Sequence, residues 1–365
     1  MTQSTSEVGS PQLPVQSDRA RQSSAVYLPA YWYVICESRE LRRRPIKRTF
    51  MGLPLVLFRD GEGRAAALVD RCPHRNVPLS LGSVVEGRLQ CAYHGWRFDA
   101  DGVCVKVPGL CGVQESRARD ALSHAAVEQD GFVWIWGQAG ESPESQPPPT
   151  RTSREAGYTT VRRSVDFAAT LHATVENALD VPHTAFLHKG LFRGRKEPLE
   201  IRAVVTRTPQ SVQVEFLGEP RPPGLVARIL SPSGGVMTHF DRFLMPSVAE
   251  VEYSLGEENH IVVTSYCCPV DRNHTRVFAT VSFRLRLPHW LVKPLVLPLA
   301  MRIFKQDAWI LAAQTESIER FGGERYCSTE IDLIGGQVWR LLRRAEQGRL
   351  PEPDPDWRKE VKLLV

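Results

Sequence analysis

Between Tyr27 and about Gly137, apolar residues come in short alternating runs broken by Gly and Asp turns. Examples are Pro54-Leu55-Val56-Leu57-Phe58, Ala65-Ala66-Ala67-Leu68-Val69 and Gly131-Phe132-Val133-Trp134-Ile135-Trp136. A two-residue period over four to eight positions is the pattern of a half-buried strand, so residues 26–140 are predicted to form a compact all-β domain. Glu141-Ser142-Pro143-Glu144-Ser145-Gln146-Pro147-Pro148-Pro149-Thr150 then interrupts every period. Prolines supply no backbone donor and block helix, so residues 141–154 are expected to be a linker. Strand patterns resume in Val212–Phe216, Glu250–Tyr253, Ile261–Tyr266 and Val277–Phe283, which predict an antiparallel sheet. From about Ala300 to Phe321 the spacing becomes helical, with Ile303, Phe304, Trp309, Ile310, Ala313 and Ile318 on one side. The expected class is α+β, with an all-β first domain and a second domain over residues 155–365 that pairs a sheet with C-terminal helices. No internal repeat is evident.

The 365 residues are enough for two separate cores. Residues 1–25, rich in Ser, Gln and Pro, have neither the apolar centre of a signal peptide nor the basic amphipathic character of a transit peptide, and are expected to be a disordered tail. A net charge of +5 with no dense Lys/Arg run argues against nucleic acid. The densest basic patch, Arg42, Arg43, Arg44, Lys47 and Arg48, reads equally as a solvated face or as a docking surface for an acidic partner. Leu287–Met301 is apolar but too short to span a bilayer, and Pro288, Lys293, Pro294 and Pro298 interrupt it. Buried packing is the expected role, with a peripheral or substrate-entrance surface as the alternative, and no transmembrane segment is expected.

Two clusters carry chemistry: Cys72-Pro73-His74, followed by Cys91-Ala92-Tyr93-His94. Zinc sites usually space their ligands C-x2-4-C and H-x3-5-H, whereas here each loop offers one Cys and one His. Arg75, the run His94-Gly95-Trp96-Arg97-Phe98 and Gly102 surround them, and Ala30-Tyr31-Trp32-Tyr33-Val34 with Glu40-Leu41 opens the region. This stretch resembles the Rieske [2Fe-2S] domain of the Rieske non-haem iron oxygenases. The resemblance implies that Cys72 and Cys91 bind one iron of the cluster while His74 and His94 bind the other, more exposed one. Neutral imidazoles in place of thiolates raise the potential by roughly several hundred millivolts over an all-Cys plant-type ferredoxin. The remaining cysteines, Cys36, Cys104, Cys111, Cys267, Cys268 and Cys327, are scattered and read as reduced thiols of a cytoplasmic protein.

A second signature lies in Glu176-Asn177-Ala178-Leu179-Asp180-Val181-Pro182-His183-Thr184-Ala185-Phe186-Leu187-His188. Histidines five apart stand about 140° apart on a regular helix, so they can share a metal only if the helix breaks or widens, and Pro182 favours a break. The segment is similar to the N-x2-D-x2-H-x4-H motif of the same oxygenases. The resemblance implies that His183 and His188 bind a mononuclear Fe(II) and places the completing carboxylate in Phe304–Gln314, at Asp307. Glu316 and Glu319 on the same helix compete, among neighbours that look like an exposed charged face. Two histidines and one carboxylate leave open positions for O2. The other histidines, His124, His172, His239, His260, His274 and His289, are taken as structural.

Further expectations come from the family. They are a helix-grip-type catalytic domain, electrons from NAD(P)H through a separate ferredoxin or flavin reductase, and a homotrimer in which Asp180 bridges His183 and His94 of the adjacent chain. No GxGxxG loop is seen for a nicotinamide or flavin, which suits a partner-dependent enzyme. Asn177 lies three positions before Asp180, as in the monooxygenase-like branch, so hydroxylation, demethylation or desaturation is expected over arene cis-dihydroxylation. The alternative of another class is an iron-sulfur electron-transfer or sensing protein without catalysis. Leu171, Leu179, Phe186, Leu187, Leu191 and Phe192 suggest an apolar, bulky organic substrate.

Overall fold

A computed structural model of the chain describes residues 24–111, 116–152, 155–188, 200–219, 237–255, 259–285, 289–349 and 357–364. The expected tail is outside these residues except at its end, where Ser24 is buried and hydrogen-bonded to Thr170 and Glu324. Leu191 and Phe192 also lie outside the described residues.

The first part contains three small antiparallel sheets. Strands β1 (Trp32–Glu37), β10 (Ala126–Gln129) and β11 (Phe132–Trp136) form one. A second joins β2 (Ile46–Phe50), β3 (Leu53–Arg59), β4 (Ala65–Val69) and β9 (Ser123–His124). The third, made of β5 (Ser83–Val85), β6 (Arg88–Gln90), β7 (Arg97–Phe98) and β8 (Cys104–Lys106), carries the cluster loops at its end. Val56, Phe58, Leu68, Leu79, Leu89 and Phe98 pack with Cys72 and Cys91 into one apolar cluster beneath those loops.

The second part is built on an eight-stranded antiparallel sheet. Its members are β12 (Thr159–Phe167), β13 (Glu200–Arg207), β14 (Ser211–Leu217), β15 (Met237–Leu244), β16 (Val248–Leu255), β17 (Asn259–Pro269), β18 (Thr275–Arg284) and β19 (Arg358–Leu364). They run in the order β12-β18-β17-β16-β15-β14-β13-β19. Helices α1 (Leu171–Leu179), α2 (Thr184–Leu187), α3 (His289–Arg320) and α4 (Gly335–Glu346) complete it. Val212, Val214, Phe216 and Phe243 of the inner sheet face share a core with Val175 and Leu179 of α1, Leu311 of α3 and Val338, Leu341 and Leu342 of α4. This is the expected α+β, helix-grip arrangement.

The long helix corrects one expectation. It begins at His289, not near Ala300, and runs through Pro294 and Pro298. Each proline removes a backbone hydrogen bond, which favoured an interruption. Tertiary packing overrides that cost: Leu297 and Ala300 sit against Val161, Val281 and Phe283 of the sheet. The segment is also less buried than expected, since Trp290 and Leu299 are exposed. Among the described residues no helix is long and apolar enough to cross a membrane.

The two parts share a core. Tyr266 and Phe278, from the outer face of the large sheet, pack with Phe132, Trp134 and Trp32. The Tyr266 ring meets Phe132 at 5.4 Å and Trp134 at 5.2 Å between centroids. The Pro/Ser stretch crosses this junction without regular structure and is pinned there. Ser145 accepts from Trp32 Nε1 at 2.8 Å, Pro148 accepts from Gln129 Nε2 at 3.0 Å, and the Thr150 hydroxyl pairs with that of Tyr266. Arg151 adds an ion pair to Glu252.

Candidate metal centres and the cavity beside them

The loop after β4 turns tightly at Cys72: its N–H donates to Val77, and Asn76 N–H donates back to the Cys72 carbonyl at 2.8 Å. The loop after β6 repeats the device, with Cys91 N–H donating to Trp96 at 2.8 Å and Gly95 N–H to the Cys91 carbonyl at 3.1 Å. Gly95 adopts φ +70°, where a Cβ would be strained and would press on Pro108 at 3.1 Å. The two turns bring all four expected cluster residues together. Cys72 and Cys91 are buried as free thiols near one another, while the His74 and His94 rings lie toward the surface 4.5 Å apart. Trp96 stacks on His74 at 4.7 Å and 5°.

The donor set fits a Rieske cluster. Two thiols converge on the inner side and two imidazoles on the outer, and His74 Nδ1 is buried without a hydrogen-bond partner. Burial pushes the Cys72 thiol up to about 11, with Cys91 adding to the rise, while backbone N–H groups of His74 and Arg75 favour its thiolate. A metal would take the thiolate form directly.

The second centre starts from α1. Thr170 caps it by accepting from Ala173 N–H at 3.2 Å, and Asp180 ends it. The break precedes both histidines: His183 and His188 flank the single turn α2. That arrangement resolves the angular mismatch of a regular helix. The two Nε2 atoms lie 3.3 Å apart, and Asp307 Oδ1 on α3 is 3.6 Å from His183 Nε2 and 3.0 Å from His188 Nε2. His183, His188 and Asp307 form the one group of this kind among the described residues able to hold a metal ion, with donor atoms within 4.8 Å of one another. Burial pulls the His183 pKa down, but Asp180 and Asp307 push it up to about 9. Three donors crowded around a common point, with Asp307 Oδ1 otherwise unpartnered, suit a divalent cation. Glu316 and Glu319 are not part of the group; Glu316 pairs with Arg320 on the exposed face.

Asp180 Oδ2 accepts from the backbone N–H of His183 at 3.3 Å and lies 3.3 Å from its Nδ1. His188 Nδ1 meets Gln306 Oε1 at 3.0 Å, a partnership no motif announced. His172 bonds Gly335 O through Nε2 at 3.0 Å. Beside His183 a cavity of about 1320 Å³ is lined by Leu179, Phe186, Leu187, Val214, Phe216 and Leu311, among others. Leu171 is in the core and not in that lining. His239 has side-chain partners that no motif gave it: it is fully buried between Glu219 Oε2 at 2.7 Å and Asp241 Oδ1 at 3.0 Å. The alternation Met237, His239, Asp241, Phe243 along β15 was the available signal, since it points all four inward.

An all-β domain with two Cys-His loops, followed by a helix-grip domain with a two-histidine, one-carboxylate group, sets two candidate metal centres in one chain. Residues 31–116 match the Rieske [2Fe-2S] domain family, and residues 167–347 match the vanillate O-demethylase oxygenase C-terminal domain family. The chain belongs to the Rieske non-haem iron oxygenases, whose cofactors are a [2Fe-2S] cluster and a mononuclear iron. It is 30% identical to chlorophyllide a oxygenase of Chlamydomonas reinhardtii over 83% of this chain and 42% of the relative. It is 36% identical to the oxygenase component of dicamba O-demethylase of Stenotrophomonas maltophilia over 43% of this chain and 47% of the relative. The chain thus spans about half the length of these relatives. In fold it resembles crystalline dicamba monooxygenase bound to 3,6-dichlorosalicylic acid, with a TM-score of 0.76 at 24% identity over 88% of this chain and 98% of that one.

Proposed function

We propose that this chain is the oxygenase component of a Rieske system that monooxygenates a bulky, largely apolar organic substrate, by hydroxylation, demethylation or desaturation. The observation that carries the reading is the convergence of His183 Nε2, His188 Nε2 and Asp307 Oδ1 beside the cavity. In this proposal Cys72, His74, Cys91 and His94 hold the cluster, and His183, His188 and Asp307 hold the mononuclear iron. When bound, the cluster supplies single electrons and the iron supplies O2 activation. Gln306 fixes the tautomer of His188 so that Nε2 faces the metal position, as outer partners of ligating histidines do. Leu179, Phe186 and Phe216 supply apolar contact to the substrate and exclude water.

Electrons come from a ferredoxin or flavin reductase. Three copies form a ring in which Asp180 links His183 to His94 of the next copy. Exposed apolar groups on both sides support such a contact: Tyr93 and Leu110 near the cluster loops, Phe186 and Trp309 near the second centre. We place the division between domains at residues 141–154. Buried free cysteines at positions 36, 104, 267 and 268 support a cytoplasmic location. The relatives' names include an O-demethylase, which favours removal of a methyl group among the possible outcomes.

The test is turnover with a surrogate reductase and a panel of apolar substrates, read by mass spectrometry. A gain of one oxygen, or loss of a methyl group or of two hydrogens, supports monooxygenation; a gain of two oxygens and two hydrogens would replace it by cis-dihydroxylation. Electron transfer to the cluster with no O2 uptake in the iron-loaded protein would refute the oxygenase reading.

A further inference from the structure

The two halves of α3 differ in charge. From His289 to Gln306 the helix carries Lys293, Arg302 and Lys305 and no Asp or Glu, whereas from Asp307 onward it carries Asp307, Glu316 and Glu319 against Arg320. Arg320 pairs with Glu316. Arg302 and Lys305 have no acidic residue three or four positions away in either direction, and among the described residues neither is in an ion pair.

These cations stand beside apolar groups that the fold leaves outside. Leu297 and Ala300 turn one side of the helix onto Val161, Val281 and Phe283 of the sheet. Trp290 and Leu299 are 65% and 43% exposed. Pro294 and Pro298 are also exposed, on the row that continues one turn later into Arg302. Pro298, Met301, Arg302, Lys305, Gln306 and Trp309 line a shallow groove of about 550 Å³. Helix stability does not explain such a face, because each proline removes a backbone hydrogen bond. Burial does not explain it either, because its apolar groups remain in water.

We propose that the first half of α3 is a membrane-docking face that lies in the plane of an anionic phospholipid surface. Trp290, Leu299 and the two prolines enter the headgroup boundary, and Arg302 and Lys305 meet lipid phosphates. A tryptophan ring is favoured at headgroup depth, and unpaired cations gain from an anionic surface. The composition suits the boundary of a bilayer and not its interior. The groups are strung along the axis from Trp290 to Lys305, roughly 22 Å at about 1.5 Å per residue, a line that a plane meets all at once. At Trp309 this face borders the edge assigned above to the ring contact. Asp307 lies two positions beyond Lys305 on the same helix, so docking brings the second centre within about a helix diameter, 10–12 Å, of the lipid. An apolar substrate dissolved in the bilayer would be presented there. That consequence rests on the oxygenase reading; the docking does not.

The test floats the metal-loaded protein with vesicles of phosphatidylcholine alone and of phosphatidylcholine mixed with phosphatidylglycerol. The wild type should bind the mixed vesicles at least tenfold more tightly, and added salt should weaken that binding. The double variant Arg302→Glu/Lys305→Glu should lose at least tenfold in affinity for the mixed vesicles. Brominated lipid in those vesicles should quench the wild-type tryptophan fluorescence, and Trp290→Phe should show less quenching at equal binding. Circular dichroism and the cluster's reduced-state paramagnetic signal check that each variant is folded and loaded. No binding, equal binding to the two kinds of vesicle, or undiminished binding by the folded charge-reversal variant would overturn the proposal. Unchanged quenching in Trp290→Phe would do the same. So would a charge reversal that leaves vesicle binding alone and disperses the oligomer in ultracentrifugation, since the face would then join copies of the chain. Reductase-driven O2 uptake by the wild type is measured separately. Uptake without vesicle binding sinks this inference alone, and vesicle binding without uptake sinks the oxygenase reading instead.

Discussion

Gln306 occupies the position before the carboxylate, yet its side chain serves a histidine 118 residues earlier in the chain. That acceptor favours the tautomer that leaves Nε2 for a metal, so Gln306→Leu should lower affinity for Fe(II) or Co(II) by about 10–100-fold with the fold intact, measurable by metal titration. Asp307→Ala should abolish product formation and weaken mononuclear metal binding while the cluster signal persists; Glu316→Ala is the control and should turn over normally. Glu176 offers a pH test. Burial raises its carboxyl from 4.5 to about 7, and Asp180 and Asp332 add to the rise. The folded state therefore holds this proton more tightly than the unfolded chain. That contribution to stability is fully present below 4.5 and is lost as pH climbs through about 7. Glu176→Gln should flatten that dependence and be the more stable protein at pH 8, by an amount that solvent at the partly exposed carboxyl reduces, measured by urea unfolding at pH 5 and pH 8. At this scale the sequence displayed the Cys and His pairs that the fold brings together, because the spacing within each pair is set by a local turn, whereas Asp307 was reached through the resemblance alone. It hid Gln306, Glu219 and Asp241, whose partnerships depend on how α3 and the strands are laid side by side.

Among the elements, the expected strands fall inside observed ones because a half-buried sheet forces a two-residue period on its sequence. The helix boundary was misread for an equally physical reason. Pro294 and Pro298 weaken helix locally, but Leu297 and Ala300 between and beyond them gain sheet contacts that a local pattern does not register. The junction is where element packing can be tested. Tyr266 is almost fully buried, meets Phe132 and Trp134 edge-on and shares a hydroxyl bond with Thr150. Tyr266→Ala should cost about 3–5 kcal/mol, the range for removing a large buried aromatic ring. Because the lost contacts join the two sheet systems, calorimetry should show one unfolding transition for the wild type and two for the variant. A variant that unfolds in one transition at nearly wild-type temperature would mean that the shared core does not couple the two parts.

At the scale of the whole molecule, the described surface carries apolar groups where a lone enzyme would gain from polar ones. Tyr93 and Leu110 stand beside the cluster loops, and Phe186, the most exposed of them, stands on the turn between His183 and His188. Asp180 is half-buried at the same edge, with its Oδ2 turned toward His183. In a closed ring each copy would present its His94 side to the next copy's Asp180 side, a heterologous contact that buries both patches at once. The carboxylate would then accept from an imidazole on either side and hold the two rings in fixed relation. Asp180→Asn keeps the volume but loses the charge that strengthens both bonds. It should leave the fold, the oligomer and both metal contents unchanged while slowing reduction of the mononuclear centre by orders of magnitude, as read by single-turnover kinetics from the pre-reduced cluster. Analytical ultracentrifugation should give three copies for both proteins. Wild-type electron transfer in Asp180→Asn, or full turnover by a protein that sediments as a monomer, would mean that electrons take a path within one chain.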